Sequence, residues 1–254
     1  MLENLDKVAW GEFQHAYGAA SDVPILLRKL ATGEDSLERE SPLWQLFGNI
    51  WHQGTVYEAT SYAVPFLVEL AAGNATPDRP GILALLGAIA QGHSGRYADK
   101  CRAAILAVYD KLESIAAVDY TELALGAAHV MAQFPEHSEK VGAIVFRALE
   151  MELSEEQRAG YTLLLGQVGN RSNESVQMLL SALCGESKVI RLVATAAFAM
   201  LNVRELPPDA IEIIRGFDYG VTEDLLSGNF SWDIMAEIDE DEVLEYVEGF
   251  AEAE

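Results

Sequence analysis

Within seven residues, His52-Gln53-Gly54-Thr55-Val56-Tyr57-Glu58, the chain carries an imidazole, a phenol and a carboxylate. Such a set can move protons, with the imidazole as base and the other two as acids. A small-molecule enzyme or lyase working in a groove would draw its acid–base groups from His52, Tyr57 and Glu58. The same residues also have a purely structural reading. Gly54 fits the position just beyond a helix, where a left-handed conformation suits glycine. Thr55-Val56-Tyr57-Glu58 has the spacing of a capping box that opens the next helix. Only His52 and Gln53 then lack a structural duty, and they sit at the rim of a turn where a partner can touch them. This second reading is preferred, and no catalytic residue is expected.

Other chemistry-bearing residues are sparse. The histidines are His15, His52, His93, His129 and His137, and they form no aligned column. Packed helices lie about 8–10 Å apart, so two ligands would meet across them only by reaching. No metal site and no cofactor is expected. Cys101 and Cys184 match no metal or redox spacing and are expected as two buried, reduced thiols in a cytoplasmic protein. There is no Gly-x-Ser-x-Gly and no phosphate-cradling glycine loop before a basic residue. Trp44 and Trp51, seven residues apart on one expected helix, would share a face. Core packing between helices explains them, and an exposed interface anchor is the alternative.

The elements that must position these residues come from hydrophobic periodicity. Asp22–Leu30 reads as a helix with Pro24 in its first turn, stopped by Gly33. A second helix is expected from about Ser36 to Gln53, with Leu43, Leu46, Phe47 and Ile50 at helical spacing. A third holds Ala63–Leu70 and should kink at Pro65. Apolar stripes continue at Ile82/Leu85/Leu86/Ile89, Ile105/Val108/Tyr109/Leu112, Val141/Ile144/Val145/Ala148/Leu149, Tyr161/Leu164/Leu165/Val168, Val176/Leu179/Leu180/Leu183 and Val193/Ala194/Ala197/Phe198/Leu201. About eleven helices in short-loop pairs are expected between Asp22 and Gly216, with no strand signal. Phe47-Gly48, Leu86-Gly87, Leu125-Gly126 and Leu165-Gly166 recur, their glycines 39, 39 and 40 residues apart. A mid-helix glycine costs about 0.5–1 kcal/mol against alanine, so its recurrence implies close helix approach at each copy.

Periods near 40 with two helices each belong to α-solenoids of the HEAT or armadillo type. Val189-Ile190-Arg191-Leu192-Val193-Ala194 through Leu201 resembles a HEAT second helix. Val23-Pro24-Ile25-Leu26 and Val64-Pro65-Phe66-Leu67 resemble HEAT first helices. The 51–67 block and His15–Pro24 are similar to bacterial HEAT-repeat proteins. The resemblance implies an all-α, right-handed α-solenoid of about five HEAT-like helical hairpins over residues 1–216. Residues 217–254 would form an acidic C-terminal cap of the same domain.

Charge narrows the functional classes. The formal charge is −23, and after Arg215 there are 13 acidic residues and no Lys or Arg, while the first 215 carry 27 acidic and 17 basic. Nucleic-acid binding draws on clustered Lys and Arg, so no nucleic-acid partner is expected. The basic groove of the HEAT-like DNA alkylpurine glycosylases is likewise not expected here. No segment reaches the roughly 20 apolar residues of a membrane span. Val243, Leu244, Val247 and Phe250 would give the last helix its apolar face. The expectation is a non-catalytic protein binder, most simply an acidic immunity-type inhibitor of a basic partner such as a toxin domain. Its contact residues would be Trp44, Trp51, His52, Gln53 and the acidic run Asp239, Glu240, Asp241, Glu242.

Overall fold

The computed structural model describes residues 2–33, 41–92, 96–118, 121–169, 172–216 and 240–250. The described residues are predominantly α-helical, in keeping with an all-α class. They fall into two compact units, Met1–Gln133 and Phe134–Glu254.

In the first unit, short 3-10 turns at Leu5–Lys7 and Trp10–Glu12 precede a two-stranded hairpin, β1 (Gln14–His15) and β2 (Gly18–Ala19). Helix α1 (Val23–Thr32) has Pro24 in its first turn and ends on Gly33 at φ 71°, the stop read from the sequence. Helix α2 (Pro42–Ile50) starts at Ser41, whose Oγ accepts the Trp44 amide; the expected earlier turns, 36–40, lie outside the described residues. There follow β3 (Trp51–His52), β4 (Thr55–Val56), α3 (Glu58–Ala72) and α4 (Arg79–Gln91). Next come α5 (Ala98–Leu106), α6 (Tyr109–Ala116) and α7 (Glu122–Ala132). The single stripe through Ile105, Val108 and Leu112 is therefore two helices, broken at Ala107-Val108.

Helix α3 is the hub of this unit. Nine of its residues are buried, from Ala59 to Ala71, and it packs on α1, α4, α5, α6 and β1. Pro65 lies inside it. Helices α4 and α7 pair through reciprocal glycines. A Cβ on Gly87 would lie 2.9 Å from the His129 ring, and one on Gly126 would lie 3.2 Å from Leu83. Both registers rise together, so α4 and α7 run in the same direction. His129 is buried.

The second unit holds a 3-10 turn at Pro135–His137, then α8 (Ser138–Leu149), α9 (Glu155–Gln167), α10 (Asn173–Leu183), α11 (Lys188–Leu201) and α12 (Pro208–Arg215). The last described helix is α13 (Glu240–Glu248). Helix α11 is apolar nearly all round, and it packs on α9, α10 and α13. Val243 and Tyr246 of α13 are buried, as is Phe250 just beyond it, while Leu244 is exposed, so the expected face is rotated toward Tyr246. The Tyr246 hydroxyl donates to the Val203 carbonyl, and Arg204 Nη1 donates to the Tyr246 carbonyl at 3.0 Å.

One device recurs across the helix ends. A helix leaves its last carbonyls without partners, and their partial negative charge favours a cation. Arg79 Nε donates to the Ala71 carbonyl at 2.7 Å, and Arg102 reaches the carbonyls of Ala90 and Gln133 at 3.0 Å each. In the second unit Arg158 bonds the carbonyls of Leu149 and Met151, and Arg191 bonds that of Gly185. Arg158 and Arg191 also share their surroundings. Each lies four residues after a serine cap, Ser154 or Ser187, and each carbonyl accepts the hydroxyl four residues on, from Thr162 or Thr195.

Candidate functional site

The stretch that looked most like chemistry folds as a hairpin. Trp51 and His52 pair with Val56 and Thr55, so the helix ends at Ile50 rather than Gln53. Gln53 at φ 49° and Gly54 at φ 80° form the two-residue loop, and both are left-handed. That pairing of signs matches the twist of a tight hairpin, in which glycine is at ease and glutamine is strained. Gly54 is therefore a hairpin residue and not a helix stop. The next helix is capped differently from the expected Thr55–Glu58 box. Thr60 Oγ1 accepts the Tyr57 amide at 2.9 Å and donates to the Ile50 carbonyl, tying the end of α2 to the start of α3.

The β1–β2 hairpin repeats this plan. His15 pairs with Gly18 around Ala16-Tyr17, as His52 pairs with Thr55 around Gln53-Gly54. Each histidine is the last strand residue before its turn. His15 is buried, with Nε2 2.8 Å from Asp22 Oδ1, and its Nδ1 accepts the Tyr17 amide at 3.0 Å. Because Nδ1 accepts, the proton of the neutral ring sits on Nε2 and is donated to the carboxylate. Asn49 Nδ2 donates to Asp22 Oδ2 at 2.6 Å, and the Asn49 carbonyl accepts the Ala16 amide at 2.9 Å. Asp22 thus fastens the first hairpin and α2 to the start of α1. This network was missed because Asn49 is remote from Asp22 in the chain; a histidine followed within three residues by glycine, at His15–Gly18 and His52–Gly54, was the available signal.

The two hairpins meet through side chains. Tyr17, 70% exposed, lies edge-on to His52 with ring centres 5.6 Å apart. Phe13 stacks on Tyr62 at 4.1 Å. Trp44 is 61% exposed on α2, which makes it a surface residue rather than core packing. Trp51 belongs to β3 and not to the helix of Trp44; its ring stands edge-on to Phe47 at 6.1 Å. Its indole Nε1–H is buried without a hydrogen-bond partner among the described residues. Gln53 is exposed at the loop tip. Trp44, Trp51, His52 and Gln53 therefore all belong to one helix–hairpin element.

His52 and Glu58 meet different neighbours. His52 lies against Tyr17, whereas Glu58 accepts the Tyr97 hydroxyl at 3.4 Å with Lys100 Nζ 3.6 Å away. The Tyr57 carbonyl lies 3.9 Å from Cys101 Sγ. Burial pushes the Cys101 thiol up to about 12, while Cys184 is exposed, against the expectation of two buried thiols. Of the acidic run, Asp241 is exposed, Asp239 lies outside the described residues, and for Glu240 and Glu242 only the backbone is described. Among the described residues no three His, Cys, Asp or Glu side chains gather as metal ligands, and no helix is long and apolar enough to cross a membrane. Compared with protein-family models, with curated proteins and with solved structures, the chain matches none.

Proposed function

We propose that the chain is a non-catalytic protein-binding α-solenoid of HEAT-like hairpins, with an acidic C-terminal cap, that holds and neutralises a basic protein such as a toxin domain. The observation that carries this reading is the distribution of charge. Residues 134–254 contain 24 acidic and 8 basic residues, a net of −16. Three of those eight, Arg158, Arg191 and Arg204, direct their guanidinium groups to main-chain carbonyls. A strong single-sign field speeds encounter with an opposite charge and suppresses wrong partners. Exposed Trp44 and Tyr17 supply the aromatic anchors typical of interface centres. The same-direction pairing of α4 with α7 and the matched Arg158 and Arg191 support the repeat architecture.

The test is capture of basic proteins from the native cell extract on the immobilised full chain, at roughly 50 mM and 500 mM salt. A basic protein held at low salt, released at high salt and indifferent to chelators is expected. Charge reversal at Asp241, Glu245 and Glu248, all exposed, should weaken that capture. Recovery of no basic protein at low salt sinks the reading.

A further inference from the structure

We infer that the first unit carries a binding site for a small organic anion, one phosphate or carboxylate group on an apolar body. The site is an open hollow of about 420 Å³ between the ends of α3 and α6 and the starts of α4 and α7. That volume lies within the usual range for small-molecule sites. Its lining includes Arg79 and Lys111, and no carboxylate among the described residues, in a chain whose formal charge is −23.

The polar side chains lining the hollow are Asn74, Arg79, Lys111, Ser114 and Thr121, of which two are cations and Ser114 already donates to the Asp110 carbonyl. Arg79 is fixed by its Nε bond to the Ala71 carbonyl, which leaves the two outer guanidinium nitrogens to donate. Lys111 has no carboxylate within ion-pair distance among the described residues. Thr121 Oγ1 accepts the Ala124 amide, so its hydroxyl proton is available. Ile115 and Val118 line the same hollow, and Val118 is 57% exposed. Two cations and exposed apolar surface lining one hollow are complementary to an anion with a hydrocarbon or aromatic tail.

The test is calorimetric titration of the full chain with phenyl phosphate, benzoate, inorganic phosphate and benzyl alcohol at about 150 mM salt. Phenyl phosphate and benzoate should bind, with inorganic phosphate and benzyl alcohol each at least tenfold weaker. Lys111→Gln should weaken phenyl phosphate by roughly tenfold and Lys111→Glu by more, as loss of a charge-assisted bond requires. Lys111 is exposed, and circular dichroism of both variants should match the parent. Silence from both phenyl phosphate and benzoate at about 10 mM, or affinity unchanged in Lys111→Glu, overturns the site. Equal binding of inorganic phosphate overturns its apolar part, and equal binding of benzyl alcohol overturns its anionic part.

Discussion

Gly166 lies so close to Ala197 that a Cβ on the glycine would sit 2.8 Å from the alanine Cα. The obstacle is backbone, so relief requires α9 and α11 to part. The four recurrent glycines differ sharply in this respect. Gly87 and Gly126 face the His129 ring and the Leu83 side chain at 2.9 and 3.2 Å, whereas Gly48 has nothing within 4 Å. Close approach therefore explains three of the four copies and not Gly48.

An ordered mutational series follows. Gly166→Ala should lower stability by about 1–3 kcal/mol, the usual cost of forcing volume into a packed contact. Gly126→Ala should cost less, because a side chain can yield. Gly48→Ala should raise stability by about 0.5–1 kcal/mol through helix propensity alone. Urea denaturation followed by circular dichroism reads all three, and a destabilised Gly48→Ala would contradict the open space around it.

Gln53 offers a gain in stability. A left-handed conformation costs a non-glycine residue roughly 1–2 kcal/mol, and asparagine tolerates it better than glutamine. Gln53→Asn should therefore stabilise the hairpin by a few tenths to about 1 kcal/mol, measured as a rise in the urea midpoint. Gly54→Val should do the reverse, since valine is poorly tolerated at φ 80°.

The two cysteines should separate cleanly. At pH 8 a thiol reagent should label Cys184 in the native chain and Cys101 only after denaturation, because the thiolate reacts and burial suppresses it. The pH dependence has a definite sign. Burial raises the Cys101 value from 9.0 to about 12, so the folded state holds its proton when the unfolded state has lost it. Its contribution is complete below about pH 9 and declines from there toward pH 12, by at most about 1.4 kcal/mol per unit. Cys101→Ala should flatten that alkaline decline, and an unchanged slope would refute it.

Helix existence was legible wherever breakers and periodicity agreed. Pro24 and Gly33 bracket α1 as read, and the stripes at 82–89, 161–168 and 193–201 are buried. Failures came where a residue type conceals its conformation. Nothing about glutamine announces a left-handed residue, so Gln53-Gly54 looked like a helix end and Trp51-His52 looked helical. Two-residue strands are too short for alternation to register. The Asp22 network joins His15 to Asn49 across 27 positions of sequence separation from Asp22, a distance no local pattern encodes. Exposure of Trp44 was open on sequence grounds, because an apolar stripe does not say which edge remains uncovered.

The arginines at the helix ends have a consequence for how the surface can change. Arg79, Arg102, Arg158 and Arg191 hold their helix ends through hydrogen bonds to main-chain carbonyls. The other half of each of these bonds is the main chain. Acidic side chains can be exchanged, added or reversed without loosening those joints. The charge of the exterior is free to change while the interior keeps the same framework.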